Sequence, residues 1–245
     1  MSNILVTGAS GGIGRAIAET LARRGARVVL HYRSNAAAAE AVRKSLPGEG
    51  HVTVRADLTD AASIEPLWQE AASAVGRIDA VVNNAGIFPN HPPLSTEFDA
   101  WRTAWDRTLG TNLLGPVHLS YTAARSMAQQ GGGRIVNISS RGAYRGEPTA
   151  PAYAASKAGL NAFTQSMAKA LAPSGVYLFV VAPGWVSTER VAESIKNPAV
   201  IADQPLGRVA TPEEVAQVTT FCVLDAPASL TGAILDVNGA SYLRS

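Results

Sequence analysis

The sequence holds one cysteine, Cys222, in 245 residues. An intrachain disulfide is therefore impossible and a cysteine-based metal site is excluded. The four histidines, His31, His51, His91 and His118, show no ligand spacing, so no metal is expected. Aromatic residues are scarce, and small and aliphatic side chains dominate the hydrophobic half of the chain. That balance suits a buried parallel sheet with helices packed closely on it. Charge of either sign is also in short supply: the formal net charge is +2 and no run of Lys or Arg forms a patch. No nucleic-acid partner is expected. The apolar runs fall far short of the roughly 20 residues of a membrane helix, so no membrane partner is expected either. Met1-Ser2-Asn3 leads straight into an apolar segment, with no basic region or cleavage site, and the expected location is the cytoplasm.

What is present is an alternation of short apolar runs and helical periodicity. Strands are expected at Asn3 to Thr7, Arg27 to His31, His51 to Ala56, Ile78 to Asn83, Arg134 to Ile138, Val176 to Val181 and Ala233 to Val237. Helices are expected between them, including a long region, continuous or broken, from Glu97 to Gln130 and another from Ala152 to Leu171. Asp60 is a candidate N-cap, and Thr211-Pro212-Glu213-Glu214 has the cap, first-turn proline and acids of a helix start. With no internal repeat and no linker, this reads as a doubly wound α/β fold: a Rossmann parallel sheet of about seven strands in one domain, residues 1–245, with helices on both faces. The longest break, 187–208, follows a strand's carboxyl end, where open α/β sheets bind ligands, and is read as a substrate lid.

Between the first strand and first helix lies Gly8-Ala9-Ser10-Gly11-Gly12-Ile13-Gly14. The glycines at 8, 12 and 14 suit a sharp turn, a close approach to a pyrophosphate and tight helix–sheet packing. The helix starting near Ile13 offers free N–H groups and a positive dipole end to phosphate. Further on, Tyr153 and Lys157 stand one helical turn apart on the same face. A neighbouring ammonium favours phenolate and lowers a tyrosine's pKa from about 10. Such a tyrosine exchanges a proton with a carbonyl or alcohol oxygen.

Thr7-Gly8-Ala9-Ser10-Gly11-Gly12-Ile13-Gly14, Asn83-Asn84-Ala85-Gly86, Asn112, Ser140, Tyr153-x-x-x-Lys157 and Pro183-Gly184 together resemble the short-chain dehydrogenase/reductases in identity, order and spacing. The resemblance spans essentially the whole chain. It implies a nicotinamide cofactor held by Gly8, Ser10, Gly12, Ile13 and Gly14, by Asp57 and Leu58 at the adenine, and by Asn84, Ala85 and Gly86 near its ribose. Asn83 and Asn84 equally suit a purely structural role, since buried amides must find partners. The resemblance further implies that Pro183, Gly184, Val186 and Thr188 contact the nicotinamide side. Ser140 would bind the substrate oxygen, with Ser139 as the rival. Tyr153 would be the general acid/base and Lys157 its partner and a holder of the ribose. Asn112 would position a water feeding protons to the lysine, or else relieve a kink or make a buried polar contact. Gly142, Tyr144 and Trp185 are candidates for the substrate pocket, with packing as the alternative.

The second strand ends His31-Tyr32-Arg33-Ser34, without the acid that would select NAD. Arg33 suits a 2′-phosphate and Ser34 adds a hydroxyl, so NADP(H) is expected. The segments 206–216 and 231–240 are similar to the 3-oxoacyl-carrier-protein reductases. Basic residues that dock an acidic carrier protein in such relatives are missing at Gln129-Gln130-Gly131 and Pro173-Ser174-Gly175, with only Arg134 and Lys169 nearby. The substrate is thus expected to be a small carbonyl compound or an acyl thioester, with an acyl carrier protein weakly supported. The resemblance also implies a homotetramer. A non-enzymatic NADP-sensing protein is the alternative of a different class.

Overall fold

The structure, a computed structural model, describes residues 1–244 apart from the side chain of Arg190. Its strands are β1 (Asn3–Val6), β2 (Arg27–Tyr32), β3 (Val52–Arg55), β4 (Ala80–Asn83), β5 (Gly133–Ile138), β6 (Val176–Pro183) and β7 (Ile234–Val237). They form one sheet in the order β3-β2-β1-β4-β5-β6-β7, with every neighbouring pair parallel. The helices are α1 (Gly12–Arg23), α2 (Ala36–Ser45), α3 (Ile64–Val75), α4 (Phe98–Leu109), α5 (Gly115–Gln129), α6 (Gly142–Arg145), α7 (Pro151–Leu171), α8 (Pro198–Ala202) and α9 (Pro212–Leu224).

The side-chain alternation of β1 shows why its run is wholly apolar. Ile4 and Val6 join a core with Ile17 and Leu21 of α1 and Val215 and Val223 of α9. Leu5 points the other way, to Leu67 and Trp68 of α3 and Leu119 of α5. Both faces of the sheet are therefore covered by helices, and each fully buried Leu or Ile contributes about 1.5–3 kcal/mol. This is the Rossmann-like α/β arrangement expected from the alternation. Strand order reverses between β1 and β4, so the crevice beyond their carboxyl ends is open to a ligand.

Local signals behave as their chemistry dictates. Asp60 accepts from the Ala62 N–H at 2.9 Å. Thr211 and Glu214 exchange side-chain bonds with each other's backbone N–H, a complete capping box. The long central region is continuous: α4 runs through a turn of π-helix, Gly110–Leu114, into α5, with Asn112 in that turn. One feature differs from expectation: the short helix α6 lies between β5 and α7. The break at 187–208 is weakly helical, with turns at Glu189–Val191 and Ser194–Lys196 as well as α8. Among the described residues, no helix is long and apolar enough to cross a membrane.

Candidate active site

A cleft of about 920 Å³ opens at the β1/β4 switch point. This is at the upper end of the roughly 300–1,000 Å³ usual for small-molecule sites. A hollow of about 690 Å³ lies along β7, lined by none of the candidate catalytic, cofactor or substrate residues.

The floor of the cleft is the glycine turn. Gly8 has φ +64°, and a Cβ there would stand 2.9 Å from Ala85 Cα. Gly14 is packed more tightly still: a Cβ would lie 2.2 Å from the Gly8 carbonyl oxygen and 2.5 Å from Asn84 Nδ2. The turn and the β4 loop are thus pressed together, with bare backbone facing the cleft. Helix α1 begins after Gly11, which offers no side chain to cap it. Its first N–H groups therefore suit an anionic group, which fits the phosphates of a dinucleotide. Ser10, Gly12 and Ile13 line the same floor. Thr188 reaches over the turn, since a Cβ on Gly12 would lie 3.5 Å from its Cγ2.

His31, at the end of β2, was not singled out from the sequence. Its ring is buried; Nδ1 accepts from the Gly8 N–H at 3.3 Å, and Nε2 lies 3.1 Å from the Ala56 carbonyl. These contacts need a neutral ring with the proton on Nε2. Burial agrees, pushing the pKa down to about 4. Beside it, Arg33 and Ser34 are exposed on the rim. Asp57 lines the same end, but its carboxylate is engaged by the Thr59 N–H and hydroxyl at 3.0 and 2.8 Å, and its pKa is lowered mainly by the Thr59 backbone bond. Leu58 is buried under that rim. Arg15, in the first turn of α1, pairs with Glu19 at 2.7 Å and does not line the cleft.

The β4 loop supplies Asn84, Ala85 and Gly86 to the cleft wall. The Asn84 amide donates to the carbonyls of Thr7 and Gly8 at 2.9 and 3.2 Å, fastening the turn. Asn83 is further from the cleft and donates to Ser120 Oγ and Asn137 Oδ1 at 3.0 and 2.8 Å. The Nδ2 groups of both thus serve the structure, while Asn83 Oδ1 is buried without a partner among the described residues.

At the opposite end of the cleft, β5 delivers Ser139 and Ser140, and α7 delivers Tyr153 and Lys157. The Lys157 ammonium is buried, donates to the Ile138 carbonyl at 2.7 Å, and lies 5.8 Å from the centre of the Tyr153 ring. Phe88 packs edge-on to that ring, 4.6 Å between centroids. Ser139 is buried and its hydroxyl donates to the Lys157 carbonyl at 3.4 Å. Ser140 is half-buried, and its Oγ accepts from the Gly142 N–H at 3.0 Å. The geometry therefore favours Ser140 as the hydroxyl that meets a ligand.

Asn112 does not line the cleft. It is fully buried behind the wall, where Oδ1 accepts from the Ile87 N–H at 2.8 Å and Nδ2 donates to the Ile87 carbonyl at 2.9 Å and to Ser156 Oγ at 3.3 Å. A Cβ on Gly86 would lie 3.4 Å from Asn112 Oδ1 and 3.7 Å from Lys157 Nζ, so both groups back onto the same glycine.

Pro183, Gly184, Trp185 and Val186 close the cleft at the end of β6, and the chain is pinned there by reciprocal backbone bonds between 185–187 and Ala210. Gly142 and Tyr144, expected in the substrate pocket, are not in its lining. Tyr144 turns away because its hydroxyl is held by Asn161 and Arg244 at 3.0 and 3.3 Å, and its ring stacks on Tyr242. Gly142 is covered by Glu147, whose Oε1 would lie 2.5 Å from a Cβ there. Arg134 also has a different task from docking. Its guanidinium donates to the carbonyls of Cys222 and Ala226 at 2.8 and 2.7 Å, over the Phe179 ring. The sequence reading passed over Arg141, Arg145 and Glu147, which line the cleft beside Ser140. The available signal was three charged residues between Ser140 and Tyr153 in a chain poor in charge.

A family model described as enoyl-(acyl carrier protein) reductase matches residues 8–240. The chain belongs to the short-chain dehydrogenase/reductase family. This dehydrogenase/reductase is 40% identical over 239 residues to cis-4-hydroxycyclohexanecarboxylate dehydrogenase of Sinomonas cyclohexanicum, covering 96% of this chain and 94% of that protein. It is 37% identical over 241 residues to the 3-oxoacyl-[acyl-carrier-protein] reductase FabG of Escherichia coli K12, covering 98% of this chain and 96% of that one. The 3-oxoacyl-[acyl-carrier-protein] reductase of a Synechocystis strain is 36% identical over 242 residues, with coverage of 98% and 96%. The protein is accordingly an oxidoreductase, and its relatives support carbonyl reduction.

Proposed function

We propose that this protein reduces a ketone to a secondary alcohol with NADP(H), with Tyr153 as the general acid/base. One observation carries the reading: Ser140, Tyr153 and Lys157 share one end of a cleft whose other end presents Arg33 and Ser34 with no carboxylate at the close of β2. The glycine turn and the start of α1 would hold the pyrophosphate, Asp57 and Leu58 the adenine, and Arg33 with Ser34 the 2′-phosphate. Ala85 and Gly86 would lie along the ribose. The loop from Pro183 to Thr188 would hold the nicotinamide amide. A bound nicotinamide supplies the hydride equivalent.

The chain's own groups handle the proton and the developing charge. The Ser140 hydroxyl already accepts from Gly142, which directs its own hydrogen outward to a carbonyl oxygen. Tyr153 gives its phenolic proton to that oxygen, and the Lys157 charge favours the phenolate left behind. The Ile138 carbonyl fixes the ammonium in place for this task. Asn112 would hold a water on the proton route to Lys157. Phe88 and Trp185 give the reacting end apolar walls that exclude water. Residues 187–208 would act as a lid over one domain of 1–245, and a homotetramer is proposed by family likeness. A 3-oxoacyl thioester is one candidate substrate; free ketones, sugars and quinones are others. A carrier-protein partner is the weaker reading, because Arg134 is engaged inside the fold.

The test is NADPH oxidation across a panel of carbonyl compounds with Tyr153→Phe beside the native protein. The variant is expected to keep NADPH binding and lose at least a hundredfold in kcat, within the usual range for a general acid of about 10²–10⁴. Full turnover in Tyr153→Phe refutes the assignment. Arg33→Ala should weaken NADPH at least tenfold more than NADH in equilibrium titration, and equal losses would refute the 2′-phosphate role.

A further inference from the structure

The substrate end of the cleft carries charge of both signs, and almost all of it is already committed. Arg145 donates to Asp203 at 3.0 Å; Arg141 donates to the same carboxylate at 3.4 Å and to Ser241 Oγ. Glu147 is the exception. It lines the cleft half-buried, and its carboxyl takes no hydrogen bond from the described residues. Arg141 and Arg145 act on it only through their charge, and burial raises its pKa. Its Oε1 rests against Gly142, the residue whose N–H holds Ser140 Oγ. The acceptor is therefore built in beside the reacting end.

A partly buried carboxylate with unused acceptor capacity needs a donor, and a ligand that cannot donate leaves it desolvated and unpaired. The neighbours decide the kind of donor. Two guanidinium groups disfavour an ammonium, while the carboxylates of Glu147 and Asp203 disfavour a further anion. A neutral hydroxyl meets both conditions. The same wall continues in Thr149 and Asn90, whose side chains are joined at 3.3 Å and which also line the cleft. Polar walls of this kind suit a hydroxylated ligand better than an alkyl chain.

We infer that Glu147 is a specificity-determining residue whose carboxylate accepts a hydrogen bond from a hydroxyl on the substrate, so that the preferred substrates are hydroxyketones and the products diols. This rests on the carbonyl-reductase reading above. It goes further by naming the substrate class and the residue that reads it. A site that hydrogen-bonds a substrate hydroxyl rejects the analogue lacking it far more strongly than an apolar pocket rejects a missing methylene.

The experiment compares kcat/KM for 2-hydroxycyclohexanone, cyclohexanone and the anionic ketone levulinate with NADPH. It uses the native protein, Glu147→Gln and Glu147→Leu, each checked for folding by circular dichroism. The native protein is expected to favour the hydroxyketone over cyclohexanone at least tenfold. Glu147→Gln should cut that ratio at least fivefold, and Glu147→Leu should bring it near one. Calorimetric titration with cyclohexane-1,2-diol in the presence of NADP supplies a readout without turnover, and the diol's affinity should fall at least fivefold in Glu147→Gln. A native ratio near one, a ratio that survives both substitutions, or a preference for levulinate overturns the inference while leaving carbonyl reduction standing. If no ketone is turned over, the reductase reading fails, and the diol titration alone decides the role of Glu147. If Glu147→Leu does not fold, the near-isosteric Glu147→Gln carries the comparison.

Discussion

Asn112→Ala should destabilise the protein well beyond the loss of one side chain. Asn112 is fully buried and satisfies both backbone groups of Ile87, the N–H at 2.8 Å and the carbonyl at 2.9 Å, as well as bonding Ser156 Oγ. Truncation leaves the two Ile87 groups without their partner. Each unsatisfied buried polar group costs about 1–3 kcal/mol, so the expected loss is roughly 2–6 kcal/mol. For a chain of this size 1 kcal/mol moves the melting temperature by about 2–4 °C, so a loss of about 3 kcal/mol, in the lower half of that range because the Ile87 bonds are only part-buried, lowers it by roughly 6–12 °C. Ile87 lines the cleft and precedes Phe88, which packs on the Tyr153 ring, so the same change should loosen that wall. The assay is urea and thermal unfolding of both proteins at one fixed concentration, because assembly would shift the apparent stability. An unchanged midpoint with a lowered kcat would refute the reasoning. Asn112 would then act on the chemistry alone and not through its hold on Ile87.

Two other perturbations have clear expected outcomes. Gly14→Ala places a Cβ 2.2 Å from the Gly8 carbonyl oxygen, so it should cost about 3 kcal/mol or more in urea unfolding and weaken dinucleotide binding, while Gly11→Ala, with nothing within 4 Å, should change stability by less than about 0.5 kcal/mol. His31 titrates near 6.5 in the unfolded chain but only at about 4 when folded. The unfolded chain therefore takes up the proton first, and stability present above about pH 6.5 is lost as pH falls towards the folded value, by about 3 kcal/mol in all. Urea midpoints measured between pH 7.5 and 4.5 should fall more steeply for the native protein than for His31→Asn, and parallel slopes would refute the role assigned to burial.

The fold class was legible in the sequence because its signals are local. Fully apolar strands such as Ile4 to Val6 occur only where both faces are covered, and helical periodicity between them leaves few arrangements other than a doubly wound parallel sheet. The positions of Gly8, Ser140, Tyr153 and Lys157 were legible for the same reason: each stands at a strand end or on a helix turn whose place the alternation sets. Tertiary structure alone decided what each polar side chain does there, because its partner lies far away in sequence and only packing brings the two together. Asn84 is spent on the glycine turn, Asn112 on Ile87, Arg134 on the loop after α9, and Tyr144 on the C-terminal segment, which takes it out of the cleft. Packing likewise set the neutral His31 beneath Gly8 and left the Glu147 carboxylate against Gly142 without a donor among the described residues. The sequence thus located the candidate groups, and the three-dimensional pairing of its polar side chains determined which of them face the cleft.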